Sequence, residues 1–247
     1  MTTTQNARYD ATEAASILTA LLTESGIDAP TVTKVRDEIN DIATQRNAAL
    51  AELADALRPT DVDTLAEAIA NGDRAVMQTI ARALTRKDEK DYKRLVNRVS
   101  WIYDRRAHER LRKLGDHLIT ELLAPWMDRT ITELAPHASV VVEHGHRSGP
   151  AELSDPHQHA YDEAERLTAR AHHIWKTAAV LRARGVLTDL SDNVDHRWLA
   201  FQAPHRLAPQ AKAHRETWWL SYAVVHGAKP GVYASHTAGT HQRAVPA

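Results

Sequence analysis

The chain has no cysteine, which removes disulfide scaffolds, thiol nucleophiles and thiolate-held zinc or iron–sulfur sites. Phenylalanine occurs once. Glycine occurs nine times in 247 residues, and only Gly26 and Gly72 precede residue 115. So little glycine leaves scant material for a phosphate-cradling loop. No Gly-x-Gly-x-x-Gly, P-loop or Gly-x-Ser-x-Gly is present, and the weight of expectation moves away from an enzyme. No apolar run approaches the ~18 residues of a membrane-spanning helix. The opening Met1-Thr2-Thr3-Thr4-Gln5-Asn6 lacks the basic and apolar stretches of a secretory signal, so a cytoplasmic protein without a membrane partner is expected.

Large apolar side chains are also few. Alanine supplies 41 of the hydrophobic residues, while Leu, Ile, Val and Phe together number 50. That is close to the composition of disordered chains, but a net charge of −1 lacks the self-repulsion that accompanies disorder, and a folded chain is expected. Arginine outnumbers lysine 23 to 8, which with the alanine suggests a GC-rich source such as an actinobacterium or one of its phages, and in the latter case a virion-associated protein.

Charge is unevenly spread. Residues 1–72 carry 5 Lys/Arg against 12 Asp/Glu, whereas 73–136 carry 14 against 10. The pattern is helical throughout. Asp10 with Glu13 forms a capping box for a first helix that ends near Gly26. Pro30 opens a second, whose seam Val32, Val35, Ile39, Ile42, Arg46, Ala49, Leu53 steps 3-4 in coiled-coil fashion with one arginine inserted, and Pro59 ends it. A short third helix fits 61–70. From Asp73 a long basic helix is expected, with breaks near 85–88 and at Gly115, and a kink or stop at Pro125.

Residues 136–155 read as a His-rich connector, with a short extended segment near 139–144 on the β-branched run Val140-Val141-Val142. Asp155 as N-cap, Pro156 and Gln158 then start a helix over 156–185 whose seam Ala164, Leu167, Ala171, Ile174, Ala178, Leu181 alternates small and large. Residues 186–233 form an aromatic-rich C-terminal unit and 234–247 a tail. The fold class is therefore mainly α: an elongated bundle of coiled-coil-like helices with a smaller C-terminal unit.

Four features carry candidate chemistry. All 15 histidines lie at or after His108. His144, His146, Asp155, His157 and His159 are the imidazole–carboxylate set that zinc or manganese accepts without thiolates, or else solvated loop residues, since their spacing matches no ligand signature. Lys87, Arg94, Arg98, Arg105 and Arg112 form a stripe able to follow phosphates, or a solubilising face with the i,i+4 pairs Glu89–Lys93 and Glu109–Lys113. Trp198, Trp218, Trp219 and Tyr222 form an aromatic core or an exposed patch. His-Arg recurs at 196, 205 and 214 without repetition of the residues between.

The expectation is a non-enzymatic helical protein–protein interaction protein, an adaptor, scaffold or assembly component working through the two seams with a partner or copies of itself and needing no cofactor. A nucleic-acid-associated regulator using 82–113 and a metal-dependent hydrolase centred on 143–163 are the alternatives.

Overall fold

The computed structural model describes residues 9–55, 89–145, 150, 152–187 and 215–233. Among these the chain is mainly helical and contains no strand. Its elements are α1 (Ala11–Ser25), α2 (Pro30–Asp55), α3 (Glu89–His117), a π-helical stretch (Leu118–Leu123), α4 (Ala124–His144), α5 (Asp155–Ala183) and α6 (Glu216–Val225). The helix expected over 61–70, the break expected near 85–88, the His-Arg recurrence through His214 and the tail from 234 lie outside the described residues. The chain divides into two compact units. The smaller takes Arg8–Ile17 and Val35–Leu111, and the larger takes Met1–Ala7, Leu18–Lys34 and Arg112–Ala247.

The smaller unit packs the N-terminal part of α1 on α2 and α3. Tyr9, Ala11 and Ala14 are buried with Ile39 and Ala43 of α2 and Ala107, His108 and Leu111 of α3. Alanine at these positions lets the backbones come close enough for direct polar links. Asp10 caps α1 as expected, its Oδ1 accepting from the Glu13 N–H at 2.8 Å. A second carboxylate reaches the same terminus from another helix: Asp104 Oδ1 of α3 accepts from the Ala11 N–H at 3.1 Å. Arg46, the arginine inserted in the α2 seam, donates to Asp104 Oδ1 at 2.8 Å and to Thr12 Oγ1 at 2.9 Å. Its side chain is only 15% exposed. The seam arginine therefore closes a polar clasp over three helices.

The larger unit repeats the device. Pro30 has no N–H to donate, and Ala29 before it has no side-chain acceptor, so α2 begins without a cap of its own. Glu121 Oε2 supplies one, accepting from the Thr31 N–H at 3.1 Å. At the other end of α1, Gly26 takes the left-handed conformation (φ 57°) and Arg129 donates to the Ser25 carbonyl at 3.0 Å. Around these links α4 packs most extensively on α5 and then on α6, burying Met127, Leu134 and Val141 against the α5 row Ala164, Leu167, Ala171, Ile174.

Several sequence expectations are corrected. Residues 139–144 are not extended; α4 continues to His144. The buried positions Met127, Thr130, Leu134, Ala138 and Val141 step 3-4-4-3, and this helical period overrides the β-preference of the three valines. Pro136 is accommodated inside α4 because it lies on the exposed face. Gly115 does not end α3. A Cβ there would stand 3.1 Å from the Val186 carbonyl oxygen, so the glycine serves a close backbone approach instead. Of the kink or stop expected at Pro125, the stop does not occur. The turn before it widens, the Ala124 N–H bonding Ile119 O five residues back, and the wide turn buries Leu118, Ile119, Leu122 and Leu123 together. On α5 the N-cap is Ser154 rather than Asp155, and Gln158 bonds Asp162 (2.7 Å) instead of completing a capping box.

Two outcomes follow. Asp104→Ala removes the second cap of α1 and leaves Arg46 only its longer contact to Asp10 at 3.8 Å, so urea unfolding is expected to show a loss of about 2–4 kcal/mol. Arg46→Met, which leaves the Ala11 link in place, is expected to cost less. A hydrogen bond from the Thr31 side chain, aided by His117 and by the Thr31 N–H, holds the Glu121 carboxyl below its ordinary value of 4.5. Its contribution is thus complete above pH 4.5 and is lost as the pH falls through the lower folded value. The stability gap between wild type and Glu121→Gln should accordingly be constant near neutrality and close in acid.

Candidate interaction surface

On α3 the helical step of about 100° per residue brings Arg94, Arg98, Trp101, Ile102 and Arg105 onto one arc. The opposite face holds the buried Ala107 and Leu111. Trp101 and Ile102, adjacent in sequence, are 39% and 37% exposed. Trp101 stands between two guanidinium groups. Arg98, three residues before it, lies 4.5 Å from the ring centroid, and Arg105, four residues after, lies 5.5 Å away. Cation–π attraction of this kind contributes about 0.5–1 kcal/mol at an exposed site and favours the rotamer that makes it. Arg105 is also fixed by Glu109 at 2.8 Å, so that glutamate pairs one turn back rather than with Lys113. Arg106 covers the half-buried Tyr103 at 5.6 Å.

The expected phosphate-following stripe is thus only partly open. Arg98 and Arg105 each cover an indole as well as facing solvent. Arg94 is exposed, Arg112 is exposed but belongs to the larger unit, and Lys87 lies outside the described residues. Sequence reasoning passed over Trp101 and Ile102. The signal was there, in an aromatic flanked at i−3 and i+4 by arginines on a helix short of large apolar residues.

The two seams lie largely inside the chain. Ala164, Leu167, Ala171, Ile174, Ala178 and Leu181 are all buried within the larger unit. In α2, Val32 and Ile39 are buried and Val35 and Ile42 half-buried, while the Leu53 side chain lies outside the described residues. Of the aromatic set, Trp218 and Trp219 are buried on α6, and Tyr222 stacks on Trp218 (5.1 Å) and meets His226 at a 40° tilt (4.0 Å). Trp198 lies outside the described residues.

Within the histidine cluster, His144 at the end of α4 and His157 in the first turn of α5 stack face to face, ring centroids 4.1 Å apart and 10° from parallel. Stacked parallel rings direct their in-plane nitrogen lone pairs side by side rather than toward a shared point, which is what a tetrahedral ion requires. Of the nearby carboxylates, Asp162 is engaged by Gln158 and Glu163 by Arg166, while Glu143 lies 3.9 Å from His144. Asp155 and His159 are exposed, and His146 lies outside the described residues. Among the described residues no group of three His, Asp or Glu side chains is placed to hold a metal ion, and no helix is long and apolar enough to cross a membrane.

Comparison with known proteins finds no matching family model, no matching curated protein and no matching solved structure.

Proposed function

We propose that the chain is a non-enzymatic helical interaction protein, an adaptor, scaffold or assembly component, that meets a protein partner through the Trp101–Ile102 face of α3. The carrying observation is the exposed indole gripped by Arg98 and Arg105 beside an exposed isoleucine. Tryptophan and arginine supply a disproportionate share of interface energy. A ring already confined between two guanidinium groups loses less rotamer freedom on docking than a free one. Since the α5 seam is spent on the chain's own core, the face of α3 is the better candidate for contact. The flanking arginines ask for a partner whose apolar groove is rimmed by carboxylates.

The test replaces two exposed side chains and so leaves the helix intact. Trp101→Ala with Ile102→Ser is expected to keep the wild-type circular dichroism and weaken partner capture from nuclease-treated host lysate by about thirtyfold or more, the scale of a lost hot spot. Capture of the same proteins in the same amounts by wild type and variant overturns the reading.

The same residues favour a second reading, in which the indole stacks on a base while the arginines neutralise phosphates. It expects oligonucleotide affinity to fall steeply with salt. Arg98→Gln and Arg105→Gln should each reduce the salt slope by about one. Binding that is absent, or indifferent to salt, disposes of it.

A further inference from the structure

Away from α3, the larger unit contains a cavity of about 440 Å³ between α4 and the segment that follows α6. That is within the range of small-molecule sites. One wall is Asp128, Ile131 and Thr132 of α4; the other is Val224 with Gly227, Ala228, Lys229, Pro230 and Tyr233. This second wall is pinned. Gly227 turns the chain in the left-handed conformation (φ 71°). The Trp175 indole N–H of α5 donates to the Gly231 carbonyl at 2.9 Å, and the Tyr233 hydroxyl donates to the Lys229 carbonyl at 3.2 Å. Tyr233 folds back so closely over Gly231 that a Cβ there would overlap its ring. Pro230, Gly231 and Val232 are buried behind it.

The cavity's charges are unspent. Among the described residues the Asp128 carboxylate has no ion-pair or side-chain hydrogen-bond partner, and neither has the Lys229 ammonium. They line the same space without pairing with each other. Burial, with Asp128 adding to it, pushes the Tyr233 hydroxyl up to about 12, so the phenol stays a neutral donor. Ile131, Val224 and Pro230 supply apolar surface around these groups. A ligand that satisfies this lining carries a cation for Asp128, an anion for Lys229 and an apolar body between.

We infer that this cavity is a binding site for a small zwitterion with an apolar side chain, an α-amino acid or a short peptide. A lone cation or anion engages one wall only, whereas a zwitterion engages both. Nothing in this assignment depends on the α3 face, and each stands or falls by its own measurement.

Calorimetric titration of the full chain separates the outcomes. Leucine and leucyl-leucine are the zwitterionic probes, telling a free amino acid from a peptide. Leucinamide, which keeps only the cation, and 4-methylpentanoate, which keeps only the anion, are the one-charge arms. Saturable binding of at least one zwitterion is expected, with each one-charge analogue weaker by about tenfold or more. Asp128→Asn and Lys229→Met should weaken the zwitterion by a similar factor. Both side chains are exposed, so unchanged circular dichroism will confirm that the fold persists. No saturable binding of either zwitterion, equal binding of a one-charge analogue, or wild-type affinity in both variants overturns the assignment.

Discussion

Helix ends in this protein are completed by other helices. An α-helix begins with four N–H groups that its own ladder cannot satisfy, and the first turns of α1 and α2 are sealed partly by carboxylates distant in sequence. Asp104 does this for α1 and Glu121 for α2, while Arg129 takes the last carbonyl of α1. Each such link is directional and geometrically exacting, in contrast to the small alanine contacts beside it. Alanine-lined packing is permissive, because many sliding positions bury nearly the same area. A carboxylate that must find one N–H removes that freedom. With large apolar residues so few, the polar termini determine where each helix stops sliding.

The same division explains what could be read from the residues alone. Asp10, Pro30 and Gly26 marked ends correctly because caps and left-handed glycines act within a few residues of themselves. The α5 seam was legible because its period repeats over a long stretch. Arg46 was recognisable as an intruder in the α2 seam, but its partner lies 58 residues away, and nothing local singles out Asp104 among the acids of the chain. The valines at 140–142 misled because local preference opposed the period, and the period is what packing rewards. Glycine at 115 carried the opposite meaning from glycine at 26, since one accommodates a neighbour's backbone and the other a positive φ.

Counting arginines at seven-residue spacing located the exposed arc, but the charge count hid the tryptophan between two of them. The cavity was beyond reach, because Asp128 and Lys229 are separated by a hundred residues and each looks like an ordinary surface charge. The histidine cluster shows the converse: residues crowded along the chain whose carboxylates the fold assigns to Gln158 and Arg166.

The wide turn at Leu118–Leu123 has a consequence for how the chain tolerates changes of length. A π-turn is in effect one residue more than an α-helix would use, and everything after it is rotated by about 100° relative to an unbroken ladder. Deleting a residue there would yield a more regular helix while turning Met127, Leu134 and Val141 away from α5. Regularity and packing oppose one another at this place, and the chain keeps the less perfect ladder. Length variation should therefore be tolerated in the connections between helices and not in this turn, although its own ladder is the less regular one.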